Sequence, residues 1–196
     1  MEIARGAEAV IERHDGIIRK TRIKKSYRLK ELDTNLRRSR TRREAKVLKK
    51  LATIGVAAPE LISADSESVI DMAYIDGPKL RDVLEKKDLA SVGRTLASMI
   101  ATMHKNGIIH GDLTTSNIIE HRGYVFVDFG LSYFSEKDED KAVDLHLLSQ
   151  AVWSKHYTVA ETFLDELMQE YARHDGGAQV LSRLEKVRAR GRNKGK

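Results

Sequence analysis

The stretch HGDLTTSN, His110 to Asn117, sets an aspartate and an asparagine five positions apart, and a further aspartate follows 16 residues beyond the first, near the end of the hydrophobic run YVFVDFG. Turns favour Gly, Asp, Asn and Ser because these residues relax or satisfy the local backbone. A turn needs neither this spacing nor the second carboxylate. Phosphoryl transfer from a nucleotide needs both, since it calls for oxygen ligands to a metal on the phosphates and for a carboxylate that orients the attacking oxygen. The pattern places Asp112 as catalytic base, with Asn117 and Asp128 as ligands for magnesium.

The D-x-x-x-x-N spacing followed by DFG at Asp128 to Gly130 is that of a kinase catalytic loop and its metal motif. Alone, a DFG would read as chance or as a strand-ending turn. Upstream, Lys20 lies in the apolar-led run IIRK, where the lysine that grips phosphate belongs, and Glu44 lies on the following helical stretch, where its ion-pair partner belongs. Each by itself is an ordinary surface charge, and their order relative to Asp112 and Asp128 lifts them above that. His104 and His110 flank the loop, but without cysteine or a second close His/Asp cluster they read as structural hydrogen-bonders, not zinc ligands.

Elements to position these residues are legible on both sides. IAR, EAVIE and IIRKTRI read as short strands broken at Gly6-Ala7 and at His14-Asp15-Gly16, giving a small antiparallel sheet. Thr34 to Thr53 lacks Gly and Pro, offers Thr34 as an N-cap, and places Glu44, Leu48 and Leu51 on one face, so a helix is expected there, packed on the sheet. ELISAD and SVIDMAYID form a further strand pair before a break at Gly77-Pro78. Beyond it LRDVLEKK reads as a short helix and LASVGRTLASMIATMHKNG as a longer one, with Val92, Leu96, Met99, Ile100 and Met103 as its buried stripe. Short strands flank the HGD loop, Asp140 to Arg190 is largely helical with a break at Gly176-Gly177, and GRNKGK reads as a basic disordered tail. The fold class expected is α+β, a minimal bilobal arrangement with residues 1–76 and 77–190 as lobes of one domain.

Charge is unevenly distributed. Arg13 to Lys50 carries 16 Lys/Arg against 4 Asp/Glu, and Arg183 to Lys196 carries 7 against 1, within a chain of net charge +6. Two basic segments on an otherwise acidic body point to polyanion contact, with a solvated helix and a loose tail as the plainer reading. EKDED, Glu136 to Asp140, reads as a solvated loop or a contact for a basic partner. No apolar run approaches the length of a membrane helix, no signal-peptide pattern stands at the start, and cysteine is absent, so no membrane association and a cytoplasmic location are expected.

Taken together, GAEAVI, IIRKTRIKKSYR, LDTNLRRSRTRREAKVL, AYIDGPKL, GIIHGDLTTSNII, VDFGLS and VRARGRNKGK span nearly the whole chain. With them the chain resembles the small atypical kinase subunit of the KEOPS complex in its archaeal, stand-alone form, the family of the human PRPK protein. The resemblance implies a minimal protein-kinase-like fold, ATP with Mg2+, a threonylcarbamoyl-transferase subunit and other KEOPS subunits as partners, and tRNA modification beside the anticodon. It also implies ATP contacts at Gly6, Ala7, Glu8 and Ala9 and, through backbone groups, at Met72, Ala73 and Tyr74. GAEA stands where protein kinases have G-x-G-x-x-G, so looser wrapping of the phosphates is expected. HGD replaces the arginine-bearing loop that reads an activation-segment phosphate, no A-P-E motif follows DFG, and Asp144 in AVDLH reads either as the counterpart of the buried aspartate that braces the catalytic loop in this superfamily or as a solvated helix carboxylate. The rivals are a serine/threonine protein kinase with an exogenous substrate and a non-catalytic basic RNA-binding module.

Overall fold

The structure, a computed structural model, describes residues 1–6 and 8–192. Ala7 and residues 193–196 lie outside the described residues. Strands β1 (Glu2–Arg5), β2 (Ala9–His14), β3 (Ile17–Arg22), β4 (Leu61–Ala64) and β5 (Val69–Ala73) form one antiparallel sheet in the order β1-β2-β3-β5-β4. In its centre Lys20 on β3 faces Ile11 of β2 and Ile70 of β5. Helix α1 (Lys30–Ile54) crosses the sheet and buries Val47, Leu48 and Leu51.

Helix α1 starts four residues earlier than Thr34. Its N-cap is Leu29, and Thr34 instead donates its hydroxyl back to the Lys30 carbonyl at 2.9 Å. Acidic Glu31 and Asp33 in the first turn suit the positive end of the helix dipole. Asp33 also accepts the Lys25 amide at 3.1 Å and Arg37 Nε at 2.8 Å, and so anchors the incoming chain. At the other end Gly55 adopts the left-handed conformation and donates its amide to Leu51.

After β5 the chain becomes helical: α2 (Leu80–Val83), α3 (Leu89–Lys105), α4 (Asp138–Lys155), α5 (Ala160–Arg173) and α6 (Gly177–Arg192). Asp88 caps α3 by accepting the Ala90 and Ser91 amides at 3.1 and 3.2 Å. The stripe of α3 is buried at Val92, Leu96, Ile100 and Met103, while Met99 is only half-buried. Between α3 and α4 lie β6 (Ile108–Ile109), β7 (Ile118–Glu120), β8 (Tyr124–Phe126) and β9 (Tyr133–Phe134), paired as β6-β9 and β7-β8. Apolar packing is continuous from Leu48 and Ile70 beneath the sheet through Leu80, Leu113 and Phe129 to Phe163 and Leu184 in the helical half.

Two expectations fail near the C-terminus. Asp138, Glu139 and Asp140 of EKDED form the first turn of α4, where carboxylates meet unpaired helix amides. Glu139 then takes Arg183 at 2.9 Å and Arg190 at 2.6 Å, so this acidic run binds the chain's own α6. Gly191 and Arg192, expected in a disordered tail, belong to α6. No helix among the described residues is long and apolar enough to cross a membrane.

Candidate active site

Side chains alternate along a strand, so Lys20 and Arg22 emerge on one face of β3, toward α1. There α1 presents Thr41 and Glu44, one turn apart. Lys20 Nζ donates to Glu44 Oε1 at 2.8 Å, Arg22 Nη2 donates to Glu44 Oε2, and Arg22 Nε donates to Thr41 Oγ1 at 3.2 Å. Glu44 is 2% exposed, and each of its oxygens carries a cation. Lys20 Nζ also donates to Asp128 Oδ1 at 2.7 Å, joining sheet and helix to the C-terminal half.

Charge states follow from these pairings. Burial presses the Lys20 ammonium toward deprotonation, but the charges of Glu44 and Asp128 more than offset it and hold its pKa above the ordinary value. For Asp128 burial raises the pKa, while the Lys20 charge and hydrogen bond carry the net below the usual carboxylate value. Asp128 itself adopts a left-handed backbone, φ 62 and ψ 66, uncommon outside glycine. A Cβ at Gly130 would stand 3.0 Å from Lys20 Nζ and 3.1 Å from Asp128 Oδ1, so the glycine of DFG leaves room for that pair.

The HGD loop hangs from α4. Asp144, fully buried there, accepts the backbone amides of His110 at 2.6 Å and Gly111 at 2.9 Å. Its Oδ2 also lies 3.4 Å from His104 Nε2, whose ring partner nitrogen meets the Tyr171 hydroxyl at 2.7 Å. His110 Nε2 faces the Val127 carbonyl at 3.2 Å and must donate, leaving Nδ1 to accept the Asp112 amide at 3.3 Å. That is the neutral tautomer, and burial lowers the His110 pKa accordingly. Gly111 has φ 79, and a Cβ there would fall 2.5 Å from the Leu131 carbonyl, so the loop has no place for an arginine. Asn117 donates Nδ2 to Asp112 Oδ2 at 2.8 Å and to the Asp112 carbonyl at 2.9 Å, and its own carbonyl accepts the Val127 amide at 2.9 Å. Asp112 and Asp128 thereby border one hollow, and Asn117 and Asp128 the one beside it.

Two adjoining hollows occupy the cleft between sheet and helices. One, about 390 Å³, is lined by apolar Ile11, Ile18, Met72, Ile119 and Val127 and ends at Lys20, Asn117 and Asp128. The other, about 360 Å³, is lined by Gly6, Glu8, Ala9, Lys20, Arg22, Arg40, Asp112 and Asp128. An apolar slot opening onto a charged chamber fits a base at one end and phosphates at the other. Ala73 and Tyr74 donate their amides to the Glu60 and Gly16 carbonyls at 2.9 and 2.8 Å, so neither is free to donate to a base, and among the described residues the uncommitted amides beside the slot include those of Ile75 and Gly77. A larger groove, about 910 Å³, runs between α4, α5 and α6 past Trp153 and Met168, and it holds none of these groups. Charge, not volume, locates the site.

Sequence reasoning missed Arg22, Arg28 and Arg40. For Arg22 the signal was present in its position two residues after Lys20 on the same strand. Arg40 comes to the cleft, and Arg28 to Glu8 at its edge, only through the course of α1 and the segment before it.

A five-stranded sheet carrying a lysine–glutamate pair, set over a helical half that presents Asp112, Asn117 and Asp128, defines a kinase-like fold of reduced size. The Rio2 kinase from Chaetomium thermophilum, solved as an ADP/Mg2+-phosphoaspartate complex, superposes with a TM-score of 0.63 over 97% of this chain and 70% of that one, at 18% identity. The family model for the RIO domain matches residues 10–145. The EKC/KEOPS complex subunit BUD32 of Encephalitozoon cuniculi is 40% identical, over 96% of this chain and 94% of its own length. A probable bifunctional tRNA threonylcarbamoyladenosine biosynthesis protein of Methanocaldococcus jannaschii is 37% identical over 97% of this chain, which spans 36% of that longer protein. The chain belongs to the RIO-domain family, in its Bud32 branch.

Proposed function

We propose that the chain is an ATP-dependent phosphotransferase that hydrolyses ATP, and phosphorylates itself slowly, in support of threonylcarbamoyladenosine formation on tRNA by a KEOPS assembly. One observation carries the reading: Lys20 bridges Glu44 and Asp128 at the mouth of a chamber that also holds Asp112. Lys20, aligned by Glu44, is the cation for the α- and β-phosphates. The strand ends at Gly6, Glu8 and Ala9 flank the phosphates, and Met72, Ala73 and Tyr74 flank the base, with Ile75 added as a backbone donor. Asn117 and Asp128 would hold magnesium, which, when bound, neutralises charge on the phosphate oxygens. Among the described residues no group of three or more His, Cys, Asp or Glu side chains is placed to hold a metal. The ion would therefore share its coordination with the nucleotide.

Asp112 orients a water, accepts its proton as the new P–O bond forms, and the bond to the departing ADP oxygen breaks, giving ADP and phosphate. Asn117 fixes the Asp112 carboxylate for that task. The short path from Gly130 through β9 into α4 leaves little surface for holding a peptide, which favours water over an exogenous hydroxyl. Residues 1–76 and 77–190 act as the two lobes of this unit. The relatives' names, a KEOPS complex subunit and a tRNA threonylcarbamoyladenosine biosynthesis protein, support KEOPS subunits as partners, and a threonylcarbamoyl-transferase subunit, tRNA and a cytoplasmic location are proposed with them.

The test is phosphate release from ATP by the purified chain, alone and with the transferase subunit and tRNA, beside a peptide array. Slow release, accelerated by the partners and lost in Asp112→Ala, is expected. Phosphorylation of an exogenous protein much faster than hydrolysis, with tRNA modification intact in Asp112→Ala, would install the serine/threonine-kinase reading instead.

A further inference from the structure

The phosphate side of the cleft carries a carboxylate where an incoming nucleotide brings negative charge. Glu8, immediately before β2, lines the chamber with Lys20, Asp112 and Asp128. It is not left facing that chamber alone. Arg28 Nη2 donates to Glu8 Oε1 at 3.2 Å and Arg40 Nη1 to Glu8 Oε2 at 2.9 Å, so each oxygen has its own guanidinium. The Glu8 carbonyl accepts the Ile23 amide at 3.0 Å, and Gly6 donates its amide to Ala9 at 2.9 Å. Arg28 continues toward Asp33 at 3.8 Å, and Asp33 in turn holds Arg37 and the Lys25 amide. Arg40 stands on α1 one turn before Glu44, the residue that aligns Lys20. One helix therefore holds both the phosphate-gripping lysine and the strand end beside the phosphates.

We propose that Glu8, Arg28 and Arg40 form a positioning clamp for the nucleotide phosphates, in which ion pairs to α1 and to the segment just before it do the work that backbone wrapping does in a glycine-rich loop. Gly6 is the one residue of GAEA without a side chain, so backbone amides alone cannot close around phosphate as several glycines would. The clamp supplies order by side chains instead, and the net charge of its three groups stays positive toward the ligand. This rests on the nucleotide reading above.

Its test turns on a sign. Electrostatics alone says that Glu8→Gln, which deletes a negative charge beside the phosphates and frees two arginines, tightens ATP binding. The clamp says the opposite: Glu8→Gln weakens ATP-magnesium affinity about tenfold, one charge-assisted pair's worth, and leaves adenosine affinity unchanged. Arg40→Gln weakens ATP similarly, and the double variant is no worse than either single because the pair acts as a unit. In kinetics the loss falls on KM for ATP with kcat nearly intact. Amide exchange without nucleotide supplies an independent readout, with the Gly6 and Ile23 amides losing protection in both single variants while the α3 and α5 amides keep theirs. Tighter ATP binding by Glu8→Gln, additive losses in the double variant, or unchanged exchange at Gly6 and Ile23 would each overturn the clamp. A wild-type chain that binds no ATP would instead remove the nucleotide reading, and the clamp with it.

Discussion

Asp144 touches no substrate in the proposed chemistry, yet it carries two amides of the HGD loop and sits against His104 in full burial. Asp144→Ala should orphan both amides and cost about 3 kcal/mol, lowering Tm by roughly 6–12 °C for a chain of this size, which a thermal melt reads directly. Asp144→Asn, keeping the shape but losing one acceptor oxygen, should cost less. His110 makes the stability pH-dependent on the acid side. Its folded pKa is depressed, so below the unfolded value of about 6.5 the unfolded chain takes up a proton that the folded chain refuses. The stabilisation is thus full above about 6.5 and is lost as pH falls from there toward the folded pKa, by up to about 1.4 kcal/mol per pH unit. His110→Asn should flatten denaturation midpoints between about pH 6.5 and 5, and a wild-type slope in that variant would assign the dependence elsewhere.

Helix α1 divides the basic N-terminal segment into two populations. Arg37, Arg38 and Arg40 meet Asp33, Glu67 and Glu8, and their charge is spent inside the fold. Arg42, Arg43, Lys46, Lys49 and Lys50 are exposed and have no carboxylate partner among the described residues, with Lys46 lying over the Phe134 ring. If tRNA docks on this helix, replacing Arg42, Lys46 and Lys49 by Ala should flatten the slope of log affinity against log salt by roughly 0.7–0.9 per lost phosphate contact. Replacing Arg37 and Arg38 should leave the slope as it is, and an equal effect of both sets would contradict this division. Such sorting was not legible in the sequence, where all eight residues read as one charge block. The same holds for α6, whose Arg183 and Arg190 are committed to Glu139. Periodicity did reveal that Glu44, Leu48 and Leu51 share a face, because local geometry alone dictates it. Which arginine meets which acid depends on elements far apart in sequence, as Arg28 and Glu8 show.

At the scale of the molecule, the kinase-like fold and the spacing of Asp112, Asn117 and Asp128 were readable because each motif is local and punctuated by Gly or Pro. The Lys20 bridge was readable only in part: its Glu44 end follows from strand-helix order, whereas the contact with Asp128 spans 108 positions and requires the two halves to meet. That meeting brings Lys20, Asp112 and Asp128 to one chamber, with Asn117 hydrogen-bonded to Asp112, as the proposed phosphate cation, base and metal ligands require. A magnesium titration of phosphate release from ATP tests it most directly, with wild type, Asp112→Asn and Asp128→Asn compared after melts show all three folded. Wild-type release should saturate with magnesium, fall about 100-fold or more in Asp112→Asn, and demand far more magnesium in Asp128→Asn. Wild-type rates in both variants at saturating magnesium would contradict it.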